Sequence, residues 1–189
     1  MFLVINFLAF QIGWLSSVIG GAQQMPWLGP LAAVVALFIH FKAARRPVEE
    51  FVLILSCALI GAGFDSLLVV SGWVAYYSGQ FSSVLAPYWI ITMWMLFATT
   101  LNVSMRWLRG KPALAAVFGF IGGPMAYIAG QKLGGIELAN PVAALLALGI
   151  GWAVMMPMLM RLSETFDGMS AEPALIKNWK PGRQTHETK

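Results

Sequence analysis

The first 41 residues of this chain contain no aspartate, glutamate, lysine or arginine. A soluble domain averages about 25% charged residues, so an uncharged run of this length does not suit a water-exposed surface. A bilayer accommodates it, because a spanning helix needs about 20 predominantly apolar residues. The whole chain agrees, since 59% of its 189 residues are hydrophobic and 11% are charged. We therefore expect an integral membrane protein.

Apolar runs separated by prolines, glycines and basic residues predict six membrane-spanning helices. Pro47, Pro87, Pro112 and Pro141 each precede or open such a run, where a missing backbone N–H is tolerated. The predicted helices cover about residues 2–19, 27–41, 48–73, 87–105, 112–130 and 141–160. The expected fold is an all-α, polytopic membrane bundle within residues 1–160.

Basic residues are concentrated in alternate connections between the predicted helices. They follow the second, fourth and sixth helices, as Lys42, Arg45, Arg46, Arg106, Arg109, Lys111 and Arg161. The other connections contain only Lys132 and Glu137 as charged residues. Because basic loops remain in the cytoplasm, we expect both termini there, with residues 161–189 as a polar tail in which Ser163 begins a short surface helix. This pattern orients a membrane protein and does not indicate a nucleic-acid partner.

Asp65 is the only charged residue between Phe51 and Met105. A lone acid inside a spanning helix costs about 2.5–3.5 kcal/mol on insertion scales, so it marks a candidate functional site. Three interpretations remain open. Asp65 is a structural acid hydrogen-bonded to Ser66, Gln11 or Thr99, a proton- or cation-coupling group of a transporter, or a catalytic acid of an intramembrane enzyme.

The fourth predicted helix carries a row of polar side chains. Thr99 and Asn102 are three residues apart, and Asn102 and Arg106 are four apart, so a continuous helix would place them on one face. Such groups either form hydrogen bonds between helices or line a polar site. We name Thr99, Asn102 and Arg106, together with Tyr127 on the fifth helix, as candidate substrate-binding residues beside Asp65.

The fifth predicted helix carries small residues at a spacing of three or four. Such rows let helix backbones approach closely in a bilayer, although they also make room for a ligand. We assign them to helix packing: Gly119, Gly122, Gly123, Ala126 and Gly130.

The remaining polar residues suggest no further chemistry. Glu49 and Glu50 fall in the first turn of the third helix and are expected to be solvated there. His40 adjoins the basic loop and is expected at the membrane interface. Cys57 is the only cysteine, and motifs of soluble hydrolases, metalloproteases and nucleotide-binding enzymes are absent from the sequence, so we expect no metal and no cofactor.

Several segments together resemble a family of small bacterial inner-membrane proteins that is classed as a domain of unknown function. The matching residues are Asp65-Ser66, Trp89, Trp94, the run 97–102, Arg106-Trp107-Leu108, the run 122–127, Gly130 and Leu133-Gly134. The resemblance covers nearly the whole chain apart from the tail. It implies a multi-pass inner-membrane protein whose gene lies near genes for fatty-acid modification, and this context favours lipids over solutes.

The leading functional hypothesis is a lipid-linked role, in which the protein binds, presents or modifies an acyl chain within the bilayer. Expected partners are the lipid bilayer and a lipid-modifying enzyme. A small proton- or cation-coupled transporter subunit is the first alternative, and a structural partner in a membrane complex is the other. Whether the protein is itself an enzyme stays open at this point.

Overall fold

The structure, a computed structural model, describes residues 1–170 of the chain. Within that range the chain forms six α-helices, a short 3-10 helix at Arg106–Leu108 and two strands of two residues each. The helices are α1 (Phe2–Ala22), α2 (Leu28–Ala43), α3 (Pro47–Val70), α4 (Tyr88–Leu101), α5 (Pro112–Lys132) and α6 (Pro141–Thr165). The strands are β1 (Ala75–Tyr76) and β2 (Ile136–Glu137).

The expected all-α architecture is confirmed. Within the described residues, α1, α3, α5 and α6 are long and apolar enough to cross a membrane, whereas α2 and α4 are apolar but shorter. Pro47, Pro112 and Pro141 occupy first-turn positions of α3, α5 and α6, and the side chain of Asn140 caps α6 by accepting from the backbone N–H of Ala143. The prolines therefore mark helix starts as predicted.

The predicted end of the fourth helix is wrong. α4 ends at Leu101, and the backbone N–H groups of Val103 and Met105 both donate to the carbonyl of Thr100, which turns the chain out of the helix. Asn102 therefore caps α4, while Arg106 belongs to the 3-10 helix. Asn102 and Arg106 therefore do not share a helical face, and the prediction that they do is wrong.

The predicted end of the sixth helix is also wrong. α6 continues to Thr165, so the residues from Arg161 to that point are helical rather than part of a loose tail. Ser163 is fully buried inside α6 and donates to the carbonyl of Met160, so it does not begin a separate surface helix. The rest of the predicted tail, residues 171–189, lies outside the described residues.

α4 is the centre of the bundle. It packs against α1, α2 and α3, while α6 packs against α5 and α3. Small residues allow this close approach, because a Cβ atom added at Gly61 on α3 would overlap the ring of Trp94 on α4. The ring of Trp94 is therefore held directly against the backbone of α3, one turn before Asp65.

One end of the bundle, here called the sheet end, is closed by the two strands. β1 pairs antiparallel with β2, with Ala75 opposite Glu137 and Tyr76 opposite Ile136. Hydrogen bonds tie the neighbouring loop to the helix ends: Trp89 donates to the carbonyl of Ser78, whose hydroxyl donates to the carbonyl of Gly21. These contacts form a lid of loops over the helices.

The opposite end, here called the basic end, is crossed by residues 166–170 that follow α6. The backbone N–H groups of Arg45 and Arg46 both donate to the carbonyl of Gly168, at 2.9 and 3.0 Å. Gly168 fits closely there, because a Cβ atom at this position would overlap the carbonyl oxygen of Arg46. The segment therefore lies under the ends of α2, α3 and α4.

Candidate functional site

Asp65 is fully buried near the end of α3, where four elements meet. Tyr76 on β1 donates its hydroxyl to Asp65 Oδ1 at 2.8 Å, and Trp94 on α4 donates its indole N–H to Asp65 Oδ2 at 2.7 Å. Tyr127 on α5 also donates to Oδ1 through a short hydrogen bond. The carboxyl group thus joins three helices and a strand.

The partners proposed for Asp65 from the sequence are wrong. Ser66 instead accepts from the backbone N–H of Ala86, and Thr99 is bonded to Asn6 on α1, whose side-chain amide donates to the Thr99 carbonyl at 3.1 Å. Gln11 is exposed on α1. Three aromatic donors surround the acid because rings fill the space between helices and still carry a polar hydrogen-bonding group.

Another polar cluster, which the sequence analysis missed, lies at the basic end around Glu50. Glu50 and His40 are almost completely buried, and His40 Nε2 lies 2.8 Å from Glu50 Oε2. Glu50 Oε1 accepts from the side-chain amide of Asn102 at 2.5 Å and from the backbone N–H of Gly168 at 2.8 Å. The prediction of a solvated Glu50 is therefore wrong, whereas Glu49 is partly exposed and pairs with Arg46.

Two arginines and Asp167 extend this cluster towards the surface. Arg106 and Arg109 each donate to Asp167 Oδ2 at 2.7 Å, and Arg109 also donates to the side-chain oxygen of Asn102. Burial alone would raise the pKa of Asp167, but hydrogen bonds from Ser170 and Arg109 and the charges of both arginines outweigh it. The pKa of Asp167 is therefore below the ordinary value of an aspartate.

This lowered pKa leads to a prediction for acid stability. At pH 7 we expect Asp167→Asn to be less stable than the wild type, because the arginines lose their carboxylate partner. The stabilisation is complete above the unfolded-state pKa of about 3.9 and is lost as the pH falls through the lower folded-state pKa. Thermal unfolding in detergent between pH 3 and 7 should show the two proteins converging on acidification. A constant difference across this range would contradict the assignment.

An apolar cavity of about 200 Å³ lies beside the Asp65 centre. Two of its wall residues, Trp94 and Tyr127, are themselves donors to Asp65. The ring of Trp94 stacks on that of Trp152, with centroids 4.8 Å apart and planes 13° apart. The described residues that line the cavity are uncharged: Phe10, Trp14, Met93, Trp94, Phe97, Met105, Phe118, Gly119, Gly122, Gly123, Ala126, Tyr127, Ile136, Trp152 and Met156.

The structure separates the residues that the sequence analysis grouped with Asp65. Tyr127 contacts Asp65 directly, but Thr99 bonds to Asn6, and Asn102 and Arg106 belong to the basic-end cluster.

Sequence reasoning also missed several residues of these polar centres: Tyr76 and Trp94 beside Asp65, and Glu50, His40, Arg109 and Asp167 at the basic end. Tyr76 lies on a two-residue strand between helices, where helical spacing carries no information. Glu50 follows Glu49 in the first turn of α3, and an acid at such a position is ordinarily solvated. The burial of Glu50 depends on His40, Asn102 and Gly168, which come from other elements, so no local signal could have revealed it.

The small residues of α5 fall into two groups. Gly119 and Gly123 face Trp152 on α6, and Gly130 faces Ile136. Gly122 and Ala126 line the cavity, as Gly119 and Gly123 also do, and a Cβ atom at Gly122 would meet only the ring of Phe118, at 4.0 Å. The row thus brings α5 against α6 and also makes room for the cavity.

Among residues 1–170, no group of three or more histidine, cysteine, aspartate or glutamate side chains is arranged to hold a metal ion.

Comparisons with known proteins identify the family of this chain and give no further information about it. The search of curated proteins and the search of solved structures found no match to this chain. The family model described as "Protein of unknown function (DUF2878)" matches residues 3–158, and the chain belongs to that family.

Proposed function

We propose that this protein binds the hydrocarbon chain of a membrane lipid in the cavity beside Asp65. The observation that carries the proposal is the apolar, uncharged lining of this cavity within a bundle of membrane-type helices. Apolar cavities of about 150 Å³ stay free of water and take up apolar ligands. A cavity of about 200 Å³ is therefore suited to a hydrocarbon group and poorly suited to a hydrated solute.

The shape of the cavity favours a chain. Its wall on α5 extends from Phe118 to Tyr127, a length of about 14 Å at the helical rise of about 1.5 Å per residue. From this length and a volume of about 200 Å³ we infer a narrow slot parallel to the helices. An acyl chain lies in this direction in a bilayer, so it can enter the slot without bending.

The closed ends of the bundle favour entry from the lipid phase. The strands cover the sheet end, and residues 166–170 cross the basic end. Between these ends, α1 packs on α2 and α4, and α5 packs on α6, while α1 and α5 are not a closely packed pair in the described bundle. We infer that the slot opens sideways between α1 and α5, where a lipid chain has direct access.

The proposal includes a membrane topology. We infer six spans with both termini in the cytoplasm from the basic residues at one end of the bundle, and a bacterial inner membrane from the family resemblance of the sequence. α4 is only 14 residues long, but protein surrounds it, so its short backbone need not face lipid. Asp65 has a supporting role in this scheme, because it orients the rings of Trp94 and Tyr127 that form the wall.

A cavity-filling variant tests the proposal. In Gly122→Leu the new side chain would occupy the slot, whereas in Gly63→Leu it would face open space on the outside of α3, where nothing lies within 4 Å of an added Cβ atom. We expect lipid that co-purifies with the wild type, measured by native mass spectrometry, to be lost in Gly122→Leu and retained in Gly63→Leu. Equal lipid retention in both variants, at unchanged thermal stability, would refute chain binding.

A proton-coupled transporter is the other candidate. The observation that favours it is the burial of two carboxylic acids, Asp65 and Glu50, at different levels of the bundle. Buried acids in membrane bundles are typical of proton pathways. Proton-dependent flux in proteoliposomes that disappears in Asp65→Asn would favour this function over lipid binding.

A further inference from the structure

One end of the cavity leads to an exposed lysine through a row of aromatic contacts. Phe118 lines the cavity, and its ring packs edge-on against Trp107 with centroids 6.1 Å apart. The ammonium group of Lys111 lies 6.0 Å from the centroid of the Trp107 ring. Trp107 is 51% exposed, and tryptophan rings favour the headgroup level of a bilayer. The row therefore runs from the slot to a position where a lipid headgroup would lie.

The charge of Lys111 is available to a ligand. Lys111 is exposed and forms no ion pair with any residue in the range 1–170. Glu164 accepts a hydrogen bond from the backbone N–H of Gly110, next to Lys111 in the chain, but it does not pair with the lysine. Glu50 and Asp167, the other acids at this end besides Glu49, are buried in their own cluster.

The two ends of the slot differ in charge and closure. At the sheet end, Ile136 belongs to the paired strand β2, and its side chain fills the space beside Gly130. Of the five exposed lysines and arginines among residues 1–170, Lys42, Arg45, Lys111 and Arg161 lie at the other end. The fifth, Lys132, lies at the sheet end, which also carries Glu137. A lipid in the slot would therefore have its tail towards Tyr127 and its headgroup towards Lys111.

From this asymmetry we propose that the occupant of the slot is a phospholipid with a net negative charge, whose phosphate group binds beside Lys111 and Trp107. The inference rests on the proposed function and adds the headgroup class and the orientation of the lipid. A lysine near an anionic lipid contributes about fivefold in affinity, and this contribution weakens as salt is raised.

Photolabelling with two lipids tests the headgroup assignment. Purified protein in detergent is labelled with photoactivatable phosphatidylglycerol or phosphatidylcholine that carry identical chains, and the label on α5 is quantified by mass spectrometry. We expect about fivefold more labelling by phosphatidylglycerol at low salt. This preference should disappear in Lys111→Gln. It should remain in Lys42→Gln, a matched control, because Lys42 also lies over a ring, that of Phe38, but belongs to α2.

The outcomes separate the two proposals. Equal labelling by both lipids, abolished in Gly122→Leu, would overturn the headgroup assignment and leave chain binding intact. An equal loss of preference in Lys42→Gln and Lys111→Gln would also overturn it, because the general charge of the basic end would then explain the effect. Labelling of α5 that is insensitive to Gly122→Leu would overturn chain binding itself.

Discussion

Asp65→Leu is expected to lower the free energy of unfolding in detergent micelles by about 3 kcal/mol or more. Asp65 is fully buried and accepts hydrogen bonds from Tyr76, Trp94 and Tyr127. Leucine cannot accept, so three buried donors would lose their partner, and each such donor costs about 1–3 kcal/mol. Hydrogen bonds between membrane helices average only about 0.6 kcal/mol, but that value applies where the donors find other partners.

Asp65→Asn should fall between the wild type and Asp65→Leu. The amide oxygen can still accept from both tyrosines, but the amide NH₂ group would face the N–H of Trp94, so two donors would oppose each other. Unfolding in increasing denaturant, followed by tryptophan fluorescence, measures the differences. Ser56→Ala on the same helix is the control, because Ser56 donates only to the carbonyl of Val52 one turn earlier. Wild-type stability in Asp65→Leu would show that the three bonds contribute nothing.

The sequence identified Asp65 but not the groups that surround it. Asp65 could be identified from the sequence because the residues on both sides of it are uncharged, which leaves it as the only charged residue between Phe51 and Met105. Its partners come from positions 11, 29 and 62 residues away, and one of them lies on a short strand between helices. Local spacing reports only neighbours on the same helix. The contact between Trp94 and Asp65 depends instead on Gly61, which lets α4 approach α3, and no pattern within either helix predicts that approach.

Helix number was predictable, whereas helix ends were not, because they depend on tertiary hydrogen bonds. Apolar runs and first-turn prolines marked the helix starts in the sequence. α4 stops at Leu101 because Asn102 bonds to Glu50 and to the carbonyl of Phe166, 64 residues later in the chain. α6 continues past Met160, and in this last part of the helix Ser163 is fully buried and its carbonyl accepts from Arg109 of the basic-end cluster. The residues that the sequence grouped with Asp65 fall into separate clusters for the same reason, because their positions also depend on tertiary hydrogen bonds.

Glu50→Leu is expected to lower the free energy of unfolding by about 3 kcal/mol or more, because three buried groups would lose a hydrogen-bonding partner at about 1–3 kcal/mol each. Glu50 is fully buried and its carboxylate faces His40, Asn102 and the backbone N–H of Gly168. Thermal and denaturant unfolding in micelles would measure the loss.

Glu49→Gln is the matched control for this variant. Glu49 is the preceding residue on α3, but it is partly exposed and its pair with Arg46 lies at the surface, where such pairs contribute about 0–1 kcal/mol. A loss in Glu49→Gln as large as in Glu50→Leu would mean that negative charge at the start of α3, and not the buried cluster, stabilises the bundle.

Hydrogen exchange would locate the effect of Glu50→Leu. In the wild type, the backbone N–H of Gly168 donates to Glu50, and those of Met169 and Ser170 donate to Asp167. We expect all three amides to exchange faster in Glu50→Leu and to stay protected in Glu49→Gln, because Glu50 joins the segment after α6 to the ends of α3 and α4. If the Gly168 amide stays protected in Glu50→Leu, the segment is held by the Gly168 carbonyl, which accepts from Arg45 and Arg46, and the cluster stabilises the helices alone.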